Sequence, residues 1–177
     1  TFTRSNLLVN TLATSSSTTS RELAISTVCW LNSGACTTGN TQYGWRFDLP
    51  ETREQVIYNP IFTDGVLALN SSIPPAAEQP GQCTPSLPSG WTMAFKMDSG
   101  GGATQNIFPN ASGGLIVGAG HRSIVGTKQN AVGTPYVVTV GSNRYIINQT
   151  IGGTPKASRI NPKGGVTVKR ISLEQLR

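Results

Sequence analysis

Apolar and polar residues alternate in short runs along this chain, and no stretch keeps a helical period for long. Successive side chains of an extended strand point to opposite faces, so a run reading apolar, polar, apolar marks a strand with one buried face. Such runs cover 7–14 (LLVNTLAT), 22–30 (ELAISTVCW), 43–49 (YGWRFDL), 54–58 (EQVIY) and 65–73 (GVLALNSSI). Others cover 90–97 (GWTMAFKM), 114–118 (GLIVG), 135–140 (PYVVTV), 143–151 (NRYIINQTI) and 165–171 (GVTVKRI). Turn formers separate them: Asn59-Pro60, Asp64-Gly65, Pro74-Pro75, Gly100-Gly101-Gly102, Gly141-Ser142-Asn143 and Gly152-Gly153. Gly141-Ser142 between two apolar runs predicts a tight hairpin, and so an antiparallel meander in that region. Only the closing ISLEQLR can form a helical turn, and it reads equally well as a strand.

Three of these runs open on a large ring. Trp45, Phe47 and Leu49 share one strand face, as do Trp91, Met93, Phe95 and Met97, and again Tyr136, Val138 and Val140. Trp45 and Trp91 lie 46 residues apart, and Trp91 and Tyr136 lie 45 apart. A period in the forties with several short strands per unit is the pattern of propeller blades. The predicted fold is therefore all-β, antiparallel meander sheets forming a partial or modified β-propeller, with residues 1–177 as its C-terminal part. The leading tryptophans are expected to be core, each burying its ring against a neighbouring sheet while its N–H meets a loop carbonyl.

Composition agrees with many short strands. The 177 residues include 20 Gly and 11 Pro, and only 12% are charged, against about 25% in an average globular chain. No starting Met, leader or apolar run of membrane-spanning length is seen, and the reading is a mature product or excised fragment. The net charge of +6 is unevenly spread, because no acid occurs between Ser99 and Leu173. That stretch carries Arg122, Lys128, Arg144, Lys156, Arg159, Lys163, Lys169 and Arg170. Such a region can attract a polyanion (nucleic acid, lipopolysaccharide or an acidic glycan), face an acidic neighbour within a larger protein, or simply be solvated.

Candidate chemistry is sparse. Hydrolysis or group transfer needs a nucleophile with a base, a carboxylate pair or a metal. The single His121 sits in GAGHRSIVG with no nearby acid and is read as structural. Asp48, Glu51 and Glu54 fall in a turn beside Arg53 and are read as ordinary surface charges. Asp98 is a lone hard ligand, and GLIVGAG lacks the pattern of a phosphate loop. These residues point away from an enzyme and from a metal site. Cys29 and Cys36 flank a turn-forming loop and can pair as a disulfide in an oxidising compartment. The other reading is three free thiols, with Cys83 as the third. Asn70, Asn110 and Asn148 begin N-x-S/T sequons, which matter only in a eukaryotic secretory route.

Read in order, GWRFDLP, a Glu-Gln-Val segment, Asn59-Pro60, GVL, SSIPP, a Cys, and a second Gly-Trp strand ending in Asp-Ser-Gly resemble the C-terminal domain of the PilC/PilY family. These are the tip-associated adhesin and biogenesis proteins of bacterial type IV pili. Gly44, Trp45, Asp48, Leu49, Pro50, Glu54, Val56, Pro60, Pro74, Cys83, Gly90 and Trp91 fit the family pattern. The likeness is strongest over residues 43–100. The basic closing strand is similar too, although Leu173 stands where the family usually carries a Trp. Members often hold calcium in an Asp-rich loop of this propeller, but residues 98–113 contain a single acid and no RGD occurs. Calcium is therefore expected elsewhere in the parent protein and not in this chain.

The resemblance implies a non-enzymatic module for pilus biogenesis and adhesion, affecting pilus extension, retraction and attachment. It implies pilins or minor pilins and a host or abiotic surface receptor as partners. It also implies export through the periplasm to the bacterial surface, at the pilus tip or outer membrane. The alternative is a polyanion- or glycan-binding β domain using Arg122, Lys128, Arg144, Lys156, Arg159, Lys169 and Arg170.

Overall fold

Strand β7, Trp91–Lys96, is buried on both faces, and the rest of the fold is arranged around it. The computed structural model describes residues 3–14, 19–32, 34, 36–37, 39–76, 86–117, 120 and 122–162. Within them a 3-10 turn at Arg4–Asn6 precedes β1 (Leu7–Val9), β2 (Ala13–Thr14), β3 (Ser20–Ala24) and β4 (Gly44–Arg46). Next come β5 (Ile61–Thr63), β6 (Val66–Asn70), β7, β8 (Arg122–Lys128), β9 (Ala131–Val140), β10 (Asn143–Thr150) and β11 (Pro155–Ile160). The main sheet has six strands in the order β2-β3-β8-β7-β6-β5, every pairing antiparallel. A three-stranded meander, β11-β10-β9, and a two-stranded parallel pair, β1-β4, complete it. The all-β antiparallel class is thus observed. The described residues draw neither a closed barrel nor four-stranded blades, and none of their helices is long and apolar enough to cross a membrane.

The two faces of the main sheet are covered differently. Register places Leu67 and Leu69 opposite Phe95 and Met93, and Gly126 and Lys128 opposite Met93 and Trp91. This first face is overlaid by residues 43–55. Trp45 stacks on Phe47 at 5.9 Å, and both meet Phe95 edge-on, at 5.4 and 4.9 Å. The second face, with Ala68, Asn70, Thr92 and Ala94, receives the meander, whose β9 contacts β5, β6 and β7. Val137, Ile146 and Ile160 join its apolar core.

Buried amides tie the two layers together. Thr92 Oγ1 donates to Asn70 Oδ1 at 2.8 Å, Asn148 Nδ2 donates to Thr92 Oγ1 at 2.8 Å, and Asn70 Nδ2 donates to Asn148 Oδ1 at 3.0 Å. Gln129 accepts from Asn148 at 3.1 Å and donates to Ser158. A closed ring of this kind satisfies polar groups that would each otherwise cost about 1–3 kcal/mol to bury.

The glycine run at 100–102 is a close-approach device. A Cβ on Gly100 would lie 2.1 Å from the Trp45 ring, and one on Gly102 would lie 2.5 Å from the Leu23 carbonyl oxygen. Gly100 also has φ of +61°, the left-handed region that disfavours side chains.

Several sequence expectations need correction. Residues 54–58 make only an isolated bridge, Gln55 to Ser72, and residues 114–117 form no strand. Three strands were not anticipated: β5, β8 and β11. The three aromatic leads do not share a structural place. Trp45 lies in the parallel pair, Trp91 opens the central strand, and Tyr136 sits mid-strand on β9 with 72% of its surface exposed. The expected strand at 165–171, the closing helical turn, His121, Cys83, Lys163, Lys169 and Arg170 lie outside the described residues.

Candidate binding surface

Arg21 occupies the phase of β3 that also buries Leu23, which forces a guanidinium into the interior. Gly126 makes room for it: a Cβ there would lie 3.2 Å from Arg21 Cβ and 3.0 Å from Met93 Cγ. The Arg21 guanidinium lies 4.1 Å from the Trp91 ring centroid. Its two terminal nitrogens grip Glu54 as a fork, Nη1 to Oε1 at 2.5 Å and Nη2 to Oε2 at 2.7 Å, and Nη2 also reaches Glu51 at 3.2 Å. Glu51 accepts from the Trp91 indole N–H and faces Lys128 Nζ at 3.9 Å; Ser71 Oγ donates to Glu54. The side chains of Arg21 and Glu54 are both 0% exposed.

This arrangement overturns the reading of Glu51 and Glu54 as ordinary surface charges. A buried charge persists only when paired and hydrogen-bonded, and here the carboxylates fasten the 43–55 layer to the sheet. The Trp91 N–H meets a carboxylate instead of the expected carbonyl, whereas the Trp45 N–H does meet one, Met97 O at 2.8 Å. The signal that could have revealed the cluster is the position of Arg21 on the buried phase of its strand. A buried Arg calls for an acid somewhere else in the chain.

The cations of the predicted basic region fall into separate settings. Arg122 and Lys128 lie at opposite ends of β8, about 20 Å apart along an extended strand. Arg122 pairs with Glu22 at 3.7 Å and donates to the carbonyls of Thr11 and Glu22, while Lys128 faces Glu51. Arg144 pairs with Asp64 in the β5–β6 turn. Lys156 and Arg159 are exposed on β11, and no carboxylate pairs with either among the described residues. Cys29 and Cys36 form a disulfide with Cα atoms 5.5 Å apart, held against residues 40–42 by Asn40 and Gln42. Among the described residues no three His, Cys, Asp or Glu side chains come together to hold a metal.

The outer face of the meander is open to solvent. Register aligns Val138, Tyr145 and Arg159 in one row, and Tyr136, Ile147 and Ala157 in the next. Val138, Val140, Tyr145, Ile147 and Ala157 line a shallow depression of about 260 Å³. Tyr136 is 72% and Val140 60% exposed. These rows hold no acid, and their single ionised group is Arg159. Compared with family models, curated proteins and solved structures, the chain matches none.

Proposed function

We propose that this chain is a non-enzymatic contact module for type IV pilus biogenesis and surface adhesion, working at the bacterial surface after export through the periplasm. One observation carries the reading. The grouped charges of the core face one another, while the meander turns an apolar face outward. A scaffold so arranged offers surface for docking. The Cys29–Cys36 disulfide suits an oxidising compartment such as the periplasm. The resemblance to the PilC/PilY C-terminal domain supplies the biological setting, and on that reading these sheets belong to the end of a modified propeller. Its partners would be pilins or minor pilins and a surface receptor. Deleting the segment in its host tests this: pili counted by electron microscopy and twitching zones should both fall sharply. Normal piliation and motility would overturn the reading.

Lys156 and Arg159, exposed and without a carboxylate partner among the described residues, favour a second reading as a polyanion- or glycan-binding domain. Binding to heparin would then weaken steeply with added salt. Salt-insensitive or absent binding removes that reading.

A further inference from the structure

We infer that the outer face of the meander, with the adjoining edge of β11, docks an extended segment of a partner protein that carries both apolar side chains and carboxylates. The inference rests on the contact-module reading above and adds the chemistry of what is contacted. The face is a grid of Val138-Tyr145-Arg159 and Tyr136-Ile147-Ala157, closed at one end by Val140 opposite Asn143. Apolar side chains at alternate positions of an extended segment match such a grid, because strand side chains repeat every second residue. Among the described residues β11 pairs only with β10, so its far edge presents backbone donors and acceptors to a further strand.

Charge selects the occupant. Arg144 is neutralised by Asp64, but Arg159 on the face has no carboxylate partner among the described residues. The chain supplies no acid anywhere between Ser99 and Leu173. A second copy presenting the same face would bring another unpaired Arg159. The chain's own continuation would bring Lys163, Lys169, Arg170 and Arg177 against a single acid, Glu174. Either adds repulsion, whereas a partner segment bearing Asp or Glu removes it.

Titration calorimetry on the full chain tests the inference, using a six-residue peptide alternating valine and glutamate and its valine–lysine counterpart. The glutamate peptide should bind and the lysine peptide should not. Arg159→Glu should weaken the glutamate peptide by roughly fivefold and admit the lysine peptide. Tyr136→Asp, at an exposed site, should abolish binding while leaving the thermal midpoint unchanged. Equal binding of both peptides, or of neither, overturns the inference. A dimer in sedimentation that Tyr136→Asp dissolves overturns it in favour of a second copy. Slow exchange of the outward β11 amides in the free chain overturns it in favour of the chain's own continuation. Failure here is separable from failure of the pilus reading. Peptide binding as expected in a protein whose deletion leaves pili intact sinks only the pilus role, and lost pili without peptide binding sink only the docking face.

Discussion

The layer over the first face of the main sheet and the outer face of the meander are built from similar residues and behave in opposite ways. Both carry large rings and guanidinium groups. On the first face the Trp91 ring is 1% exposed beneath Arg21, and Arg21 is gripped by Glu54 and Glu51. On the meander the Tyr136 ring is 72% exposed, and Arg159 meets no acid among the described residues. The difference lies in where the eight acids fall, all but one of them before Ser99. Acids within reach convert rings and cations into an internal fastening. Their absence leaves the same chemistry available to another molecule.

The sharpest way to break this contrast is to unpair the buried cluster. Glu54→Ala leaves Arg21 charged, buried and without its fork, and should lower stability by about 3–5 kcal/mol in urea denaturation. Replacing both members together, Arg21→Met with Glu54→Leu, should recover most of that loss; an additive loss would mean the ion pair is not what fastens the layer. Gly100→Ala, which forces a Cβ into the Trp45 ring, comes next at about 2–3 kcal/mol, read as a shift in the same denaturation midpoint. Cys29→Ser should cost about 2 kcal/mol under oxidising conditions, as expected for a short closed loop, and nothing once reductant is present. Smallest is Tyr136→Ser on the meander, expected to stay within about 0.5 kcal/mol. A large effect there would show that the outer face is covered in the folded chain.

The strands legible in the sequence are those whose two faces differ in polarity. The alternation at 65–73, 90–97 and 143–151 located β6, β7 and β10, and Gly141-Ser142 gave the β9–β10 turn. Strand β8 escaped because its register against β3 shifts between Ile124 and Gly126: Gly126 and Lys128 face the Arg21 cluster, while Arg122 and Ile124 pair with Ala24 and Glu22 on the other phase of β3. A strand that borders a buried ion pair has no simple apolar phase to read. Strand β11 escaped because it lies at the sheet edge among the described residues and opens on Pro155, a position where proline is tolerated. The aromatic spacing suggested equivalent units, but ring position is decided by what lies across the sheet, which local sequence does not contain. Glu54 is the clearest case: its role depends on Arg21, 33 residues earlier.

The amide ring between the two layers constrains how this protein can be made. Asn70 and Asn148 both begin glycosylation sequons, yet both side chains are buried and fully engaged with each other, Thr92, Gln129 and the Gly133 carbonyl. A sugar attached to either nitrogen during passage through a eukaryotic secretory pathway would hold the meander off the main sheet. Material from yeast or mammalian culture should therefore arrive either unmodified at these two asparagines or misassembled, whereas a bacterial host avoids the conflict.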